Sequence, residues 1–466
     1  MLIWICLKGE IVLRKDLFKK ALALAVPMMI QNGITNAVGL VDNIMVGSLG
    51  TEAITAVSVC GQLFFVFNLA IFGAISGPGI YGAQYYGQKN EEGFRSTVRM
   101  KFWVSFAVLI MGIPAFVFGG EFLIGLYLKG ESADIDPVKT MELAKEYLNI
   151  MLWGLPPFAV TQVYAGSLRE TGASLKPMFA GISSVVVDIV GNALLIFGYL
   201  GFPAMGVKGA AIATVLSRYV ELAVILILAY SAKKRHTFLN GLFRTMLIPK
   251  NLAGQFLRKG TPIFLNELMW AAGTAVLTQI YSLKSLDIVA GLNISNALCN
   301  MLNVVFIALG NAVGILVGQT LGASDYERAK KEAFSLMWFT GGISALLTIV
   351  LISISGVFPQ MYETTELVRR YATKFIIITS LFFPLQGFLN ALYFTLRSGG
   401  KTLVTFLFDS VFTCTISVCT AYVLCSFSSL SVIVIYTIVQ TLDLIKVVVG
   451  SILIKKGVWI SNIVSE

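Results

Sequence analysis

Twelve stretches of this chain are mainly apolar and long enough to cross a bilayer, at approximately 17–45, 52–79, 95–119, 139–168, 177–199, 206–231, 256–282, 287–317, 328–355, 366–396, 402–425 and 431–454. A helix needs about 20 such residues to span the hydrocarbon. Only 13% of the 466 residues are charged, about half the share of a soluble domain, and the mean hydropathy is +0.81. The apolar positions follow a helical period or run unbroken, without the ten-residue alternation of a membrane barrel. Helices and closed barrels alone satisfy their backbone in lipid, so the fold class is an all-α integral membrane bundle of twelve transmembrane helices.

The net charge of +10 is distributed as a topological signal. Of the 35 Lys and Arg residues, 25 fall in the N-terminus, the even-to-odd connections and the C-terminus, and 8 on the opposite side; Arg218 and Lys446 lie within spans. The positive-inside rule then puts both termini in the cytoplasm of a multi-pass protein of the inner (plasma) membrane. The loop at 120–138 carries Glu121, Glu131, Asp134 and Asp136 and suits the outer face. Basic residues spread over short loops face anionic lipid headgroups, and nucleic acid is not an expected partner.

Several chemistries are excluded by composition. The one histidine, His236, sits in a basic loop, which leaves no material for a histidine relay, a His-ligated zinc or a Ser-His-Asp triad. Cys6, Cys60, Cys299, Cys414, Cys419 and Cys425 form no CxxC pair and read as reduced core residues. The first fifteen residues place an apolar run before the charges, the reverse of a signal peptide. There is no GxxxxGK[ST] loop for ATP, so neither metal nor cofactor is expected and the energy source is an ion gradient.

The longest cytoplasmic connection, 232–255, divides the spans six and six. The expected organisation is a cytoplasmic segment 1–16, an N-lobe 17–231, the linker 232–255, a C-lobe 256–455 and a tail 456–466. Six spans return the chain to its starting side, so the halves repeat in parallel about a pseudo-two-fold axis along the membrane normal. Pro27 parallels Pro262, Tyr-Gly-Gln (86–88) parallels Val-Gly-Gln (317–319), Pro156 parallels Pro384, and Leu-Arg-Glu-Thr-Gly (168–172) parallels Leu-Arg-Ser-Gly-Gly (396–400).

Ionisable groups inside a membrane are costly and mark function by default. Away from the span ends, six carboxylates stand out: Asp42, Asp188, Glu221, Glu267, Asp409 and Asp443. Asp42 follows a polar face of Gln31, Asn32, Thr35 and Asn36, on a helix where Pro27 removes a backbone hydrogen bond and invites a kink. It is either an interfacial group or a cation-binding carboxylate. Asp188 and Asn192 share a face, four residues apart, and Thr214 in a small-residue run is positioned to meet them or simply to pack closely. Glu267 has no cation near it in sequence, which makes it the strongest single proton or sodium candidate. Asn293, Asn296, Asn300 and Asn303 form one helical stripe, lining a wet cavity or joining helices. Arg218 with Glu221, and Asp443 with Lys446, read as self-neutralising pairs. Asp409 has no evident partner.

These residues carry a resemblance. Val-Pro-Met-Met-Ile-Gln-Asn-Gly-Ile-Thr-Asn (26–36) with Val-Asp-Asn-Ile-Met-Val-Gly (41–47), Gly-Val-Lys-Gly-Ala-Ala-Ile-Ala-Thr-Val (206–215) and Gly-Thr-Pro-Ile-Phe-Leu-Asn-Glu (260–267) resemble the multidrug and toxic compound extrusion (MATE) family. The resemblance implies that Asp42, Asp188, Asn192 and Thr214 form an N-lobe ion or proton site, and that Glu267 matches a C-lobe sodium- or proton-binding carboxylate. The chain departs from the family pattern twice: its pair runs Asp188 then Asn192 instead of Asn then Asp, and Gln386 stands where some members carry an acid. The expected activity is secondary antiport, without enzymatic chemistry, exporting amphipathic or cationic drug-like compounds in exchange for H+ or Na+. Gln31, Asn32, Thr35, Asn36, Asn293, Asn296, Asn300 and Gln386 are the expected substrate-cavity residues, in a cleft between lobes that alternate access, and a monomer suffices. A lipid-linked saccharide flippase is the competing reading; six intramembrane acids against two bases argue against it. A membrane-embedded enzyme would need a catalytic cluster that the sequence does not display.

Overall fold

The computed structural model describes residues 15–128 and 136–465. Cys6, most of the expected 1–16 segment, and Glu131 and Asp134 of the acidic loop lie outside the described residues. Among those described there is no strand.

The helices are α1 (Lys15–Gly47), α2 (Thr51–Gly87), α3 (Glu91–Tyr127), α4 (Pro137–Met151), α5 (Leu155–Glu170), α6 (Leu175–Phe197), α7 (Val207–Ser231), α8 (Lys250–Ser282), α9 (Leu286–Gly322), α10 (Tyr326–Ile354) and α11 (Glu366–Ser398). They are followed by α12 (Thr402–Phe406), α13 (Val418–Phe427), α14 (Val432–Thr441) and α15 (Asp443–Lys455). Among the described residues, ten segments are long and apolar enough to cross a membrane. The two less apolar ones, α8 and the α4–α5 pair broken by a short 3-10 turn at Leu152–Gly154, complete the twelve. Side-chain caps start several helices. Asp136 accepts from the Val138 and Lys139 amides ahead of α4, Asp325 from Arg328 N ahead of α10, and Thr365 from Val368 N ahead of α11. Each fills orphan amides of a first turn. Between α12 and α13 the chain passes through two π-helical turns, Leu407–Val411 and Thr413–Ser417. Although Pro27 lies within α1, the helix is unbroken across it.

The chain divides into two compact units. One comprises residues 1–29, 80–90 and 257–466; the other comprises 30–79 and 91–256. The first is built on α9 packed against α11, with Leu17, Ala21, Leu24 and Met28 from the start of α1 joining Leu309, Leu336, Leu392 and Trp459 in its core. The second is built on α6 against α7. There Gly209, at the head of the small-residue run, sits so close to the Leu195 carbonyl that a Cβ has no room, and Phe64, Phe67, Ile124, Leu155 and Ala211 fill a core.

The repeat is sharper in the structure than in sequence. Helices α1 and α8 are both 33 residues long, and α2 and α9 both 37; each second copy begins and ends 235 residues after the first, the offset that also relates Pro27 to Pro262. This corrects one match. The equivalent segments are Gln84–Gly87 and Gln319–Gly322, four residues out of register from the Tyr-Gly-Gln pairing. Gly87 lies on the Gln319 carbonyl and Gly322 on the Gln84 carbonyl, neither leaving space for a Cβ. The residues two further on, Lys89 and Ser324, both adopt positive φ (60° and 61°).

Two expectations about individual residues are corrected. Charge placement along the chain puts Arg99 and Lys101 in a cytoplasmic connection, but α3 begins at Glu91 and both are buried within it, 2% and 1% exposed. Arg99 reaches Glu92 Oε1 at 2.6 Å, and Lys101 Nζ lies 2.6 Å from both Glu170 oxygens. Of the cysteines, Cys60, Cys299 and Cys425 are buried core residues, whereas Cys414 is half-buried and Cys419 exposed; all five are free.

Candidate functional site

In the unit that contains α6 and α7, three of the expected coupling residues converge. Asn192 Nδ2 donates to Asp42 Oδ1 at 2.7 Å. Asp188 lies within electrostatic reach of Asp42 and of Arg218, while Ser217 on α7 donates its hydroxyl to the Thr214 carbonyl at 2.9 Å. Asp188 is 7% and Asn192 1% exposed, while Asp42 is half-buried. Helical spacing explains the convergence: residues 188 and 192 stack on one face of α6, which packs along α7. Asp188 Oδ1 and Asn192 Oδ1 are buried without a partner, so the cluster retains unused acceptors at its centre. Buried acceptors of this kind are costly unless they serve a ligand or water. The second expected pair in this unit is arranged differently. Arg218 forms no ion pair with Glu221; its Nη1 donates to the Gly154 carbonyl at 3.2 Å, and its guanidinium lies over Phe158, 5.1 Å from the ring centroid. Glu221 is within charge reach of both Arg218 and Arg169.

The polar face of α1 divides. Gln31 Oε1 accepts from Arg169 Nη2 at 2.8 Å. Thr35 donates to the Gln31 carbonyl. Asn32 is half-buried, and Thr35 and Asn36 are exposed.

In the other unit, Glu267 is not isolated. Its Oε1 is 3.2 Å from Arg397 Nη2, and the Arg397 guanidinium lies over Phe394 at 5.5 Å. Arg397 is 130 residues away and belongs to the Leu-Arg repeat, so sequence proximity gives no sign of it. It repeats Arg169: each arginine ends the fourth span of its half and reaches the turn that follows the proline of α1 or α8. Asp409, unassigned from sequence, is fully engaged. Tyr393 OH donates to its Oδ1 at 3.0 Å, Asn266 Nδ2 to its Oδ2 at 3.1 Å, and Lys446 Nζ approaches Oδ1 at 3.8 Å. The pair Asp443–Lys446 forms as expected, at 3.0 Å. Gln386 donates to Asp443 Oδ2 at 2.6 Å. Asn293, Asn296 and Asn300 lie on an exposed face of α9, opposite buried Leu292, Leu298 and Cys299, and Asn303 donates to Asn300. The missed participants are Arg169, Arg397, Tyr393 and Asp409. The Leu-Arg repeat is a usable signal for the two arginines. No group of three His, Cys, Asp or Glu residues among the described residues is placed to hold a metal.

The buried bases also change the census against a flippase: Lys101 and Arg397 join Arg218 and Lys446 inside the helices. Three of the four are matched by carboxylates, Glu170, Glu267 and Asp443.

The MatE family profile matches residues 27–194 and 262–423, one block from each half. The chain belongs to the MatE family. It is 27% identical over 382 residues to the probable multidrug resistance protein YoeA of Bacillus subtilis, covering 81% of this chain and 80% of that one. It is 28% identical over 405 residues to the probable multidrug resistance protein NorM of Thermotoga maritima, covering 84% and 81%. Among solved structures, a MOP superfamily transporter from Pyrococcus furiosus, described as having a binding pocket of reverse polarity, superposes with TM-score 0.85 at 20% identity over 96% of this chain and 97% of that one. An outward-facing multidrug resistance MATE family transporter superposes with TM-score 0.83 at 20% identity, covering 96% and 98%. The protein is a membrane-embedded, multi-pass MATE transporter.

Proposed function

We propose that this MATE protein is a secondary antiporter of the inner membrane that exports amphipathic or cationic drug-like compounds in exchange for H+ or Na+ by alternating access. Both termini would be cytoplasmic, and the chain would act as a monomer among membrane lipids without nucleic acid, cofactor or enzymatic step. The observation that carries the reading is the Asp42–Asn192–Asp188 cluster: two carboxylates and two unpartnered acceptors in a buried setting. A carboxylate that must lose water is stabilised by a proton, a sodium ion or a cationic substrate. Occupancy by one excludes the others, and if each favours one conformation, exchange follows. Asn192 orients Asp42. Glu267 is paired with Arg397, which supports giving the coupling role to Asp42 and Asp188. The multidrug resistance names of the relatives support the substrate class.

The test is transport in proteoliposomes with imposed proton or sodium gradients. Wild type should accumulate a cationic dye against one of them, and Asp42→Asn and Asp188→Asn should lose exchange while remaining monodisperse. Uptake indifferent to both gradients would end the antiport reading; retained exchange in both variants would end the site assignment.

A further inference from the structure

We infer that Lys446 is a tethered cation: its ammonium group permanently fills a monovalent-cation site built from Asp409, Asp443 and Thr413. The ammonium lies 3.0 Å from Asp443 Oδ1, 3.0 Å from Thr413 Oγ1 and 3.8 Å from Asp409 Oδ1. The Phe412 ring closes another side, its centroid 5.2 Å away, a favourable position for a desolvated cation. The lysine side chain is 6% exposed. What marks a cation site rather than an incidental ion pair is the reverse side of each carboxylate. Asp443 offers Oδ1 to the ammonium while Gln386 holds Oδ2. Asp409 offers Oδ1 while Asn266 holds Oδ2, and Tyr393 adds a donor to Oδ1. Three neutral donors therefore engage two carboxylates and aim them at one point. Thr413 donates its own proton to the Asp409 carbonyl, which turns its lone pairs to the ammonium. The local backbone fits: Asp409 and Thr413 lie in the successive π-helical turns, a feature frequent at functional sites, and Asp443 and Lys446 are three residues apart on α15.

Such a site attracts a cation of single charge with all-oxygen ligation, but a lysine on the same helix is present at an effective concentration that no dissolved ion matches. The C-terminal half would therefore carry its own ion. Under the antiport reading, on which only this consequence rests, exchange is confined to the cluster around Asp42.

The experiment reads binding, so its failure is separate from failure of the transport reading. Unfolding temperature is measured in sodium chloride against choline chloride at equal ionic strength. An Asp42→Asn background removes a carboxylate of the other cluster. The parent should show no sodium-dependent rise. Adding Lys446→Met should create one that grows with the logarithm of sodium concentration, and a further Asp443→Asn should abolish it. A folded Lys446→Met variant indifferent to sodium would overturn the inference. So would a sodium response in the parent that Asp443→Asn removes, a result that does not depend on the methionine variant folding.

Discussion

Arg397 and Arg169 show how one backbone design takes two chemistries. Each ends the fourth span of its half, but the first finds a carboxylate, Glu267, and the second an amide, Gln31. Glu267→Gln should therefore keep an acceptor for Arg397, as Gln31 does for Arg169, and lose little stability. Glu267→Leu strands a guanidinium that is 10% exposed, and removing one partner of a buried pair costs about 3–5 kcal/mol. Thermal unfolding in detergent separates the two, and equal losses would contradict the assignment. A second residue-scale prediction concerns His236, 3% exposed with its Nε2 unpartnered. Burial first, then Lys176 and Arg235, push its pKa from 6.5 down to about 4. The fold thus holds it neutral, and its contribution is fully present above 6.5. As pH falls the unfolded chain takes up the proton first, so stability declines from 6.5 to about 4 and then levels off. Hydrogen-exchange protection factors in the 232–249 loop should fall over that window, and His236→Phe should flatten the profile. Neither partner of Glu267 nor the burial of His236 was legible in the chain, because both depend on contacts between distant segments.

At the level of elements, the helices and the repeated prolines were legible, since apolar length and offset survive in any register. The crossing of α2 and α9 was not. Small residues recur along both helices, and Tyr-Gly-Gln resembles Val-Gly-Gln closely enough to hide the true match of Gln84–Gly87 with Gln319–Gly322. The reciprocal contact is self-consistent only in that register, because each glycine lies on the other helix's glutamine carbonyl. The long Gln84 side chain then secures the α2 end, with Nε2 donating to the Ser398 carbonyl at 2.8 Å and Oε1 accepting from Ile463 N at 2.9 Å. Gly87→Ala and Gly322→Ala should be comparably damaging, at about 1–3 kcal/mol or more for overpacking against backbone. Conversely Lys89→Gly and Ser324→Gly should each raise the unfolding temperature, by relieving about 1 kcal/mol of left-handed strain. Unequal effects within either pair would mean that the repeat is one of sequence and not of load.

At the level of the whole molecule, formal charge separates topology from transport. The +10 excess sits mostly near helix ends, whereas the buried groups almost cancel. Around Asp42, the acids Asp42, Asp188 and Glu221 face the bases Arg169 and Arg218. In the other half, Glu267, Asp409 and Asp443 face Arg397 and Lys446. Each cluster is left with one uncompensated negative charge. If Lys446 keeps the second cluster closed to dissolved ions, the one uncompensated charge around Asp42 is what the exchanged ion and the substrate share in turn. Export of a monovalent cation against one monovalent ion moves no net charge. A chemical gradient of the coupling ion should therefore drive dye uptake into proteoliposomes, while a potassium–valinomycin potential with no such gradient should not. Transport driven by potential alone would require a second exchanging ion, and would reassign the second cluster from a fixed cation to an active site of coupling.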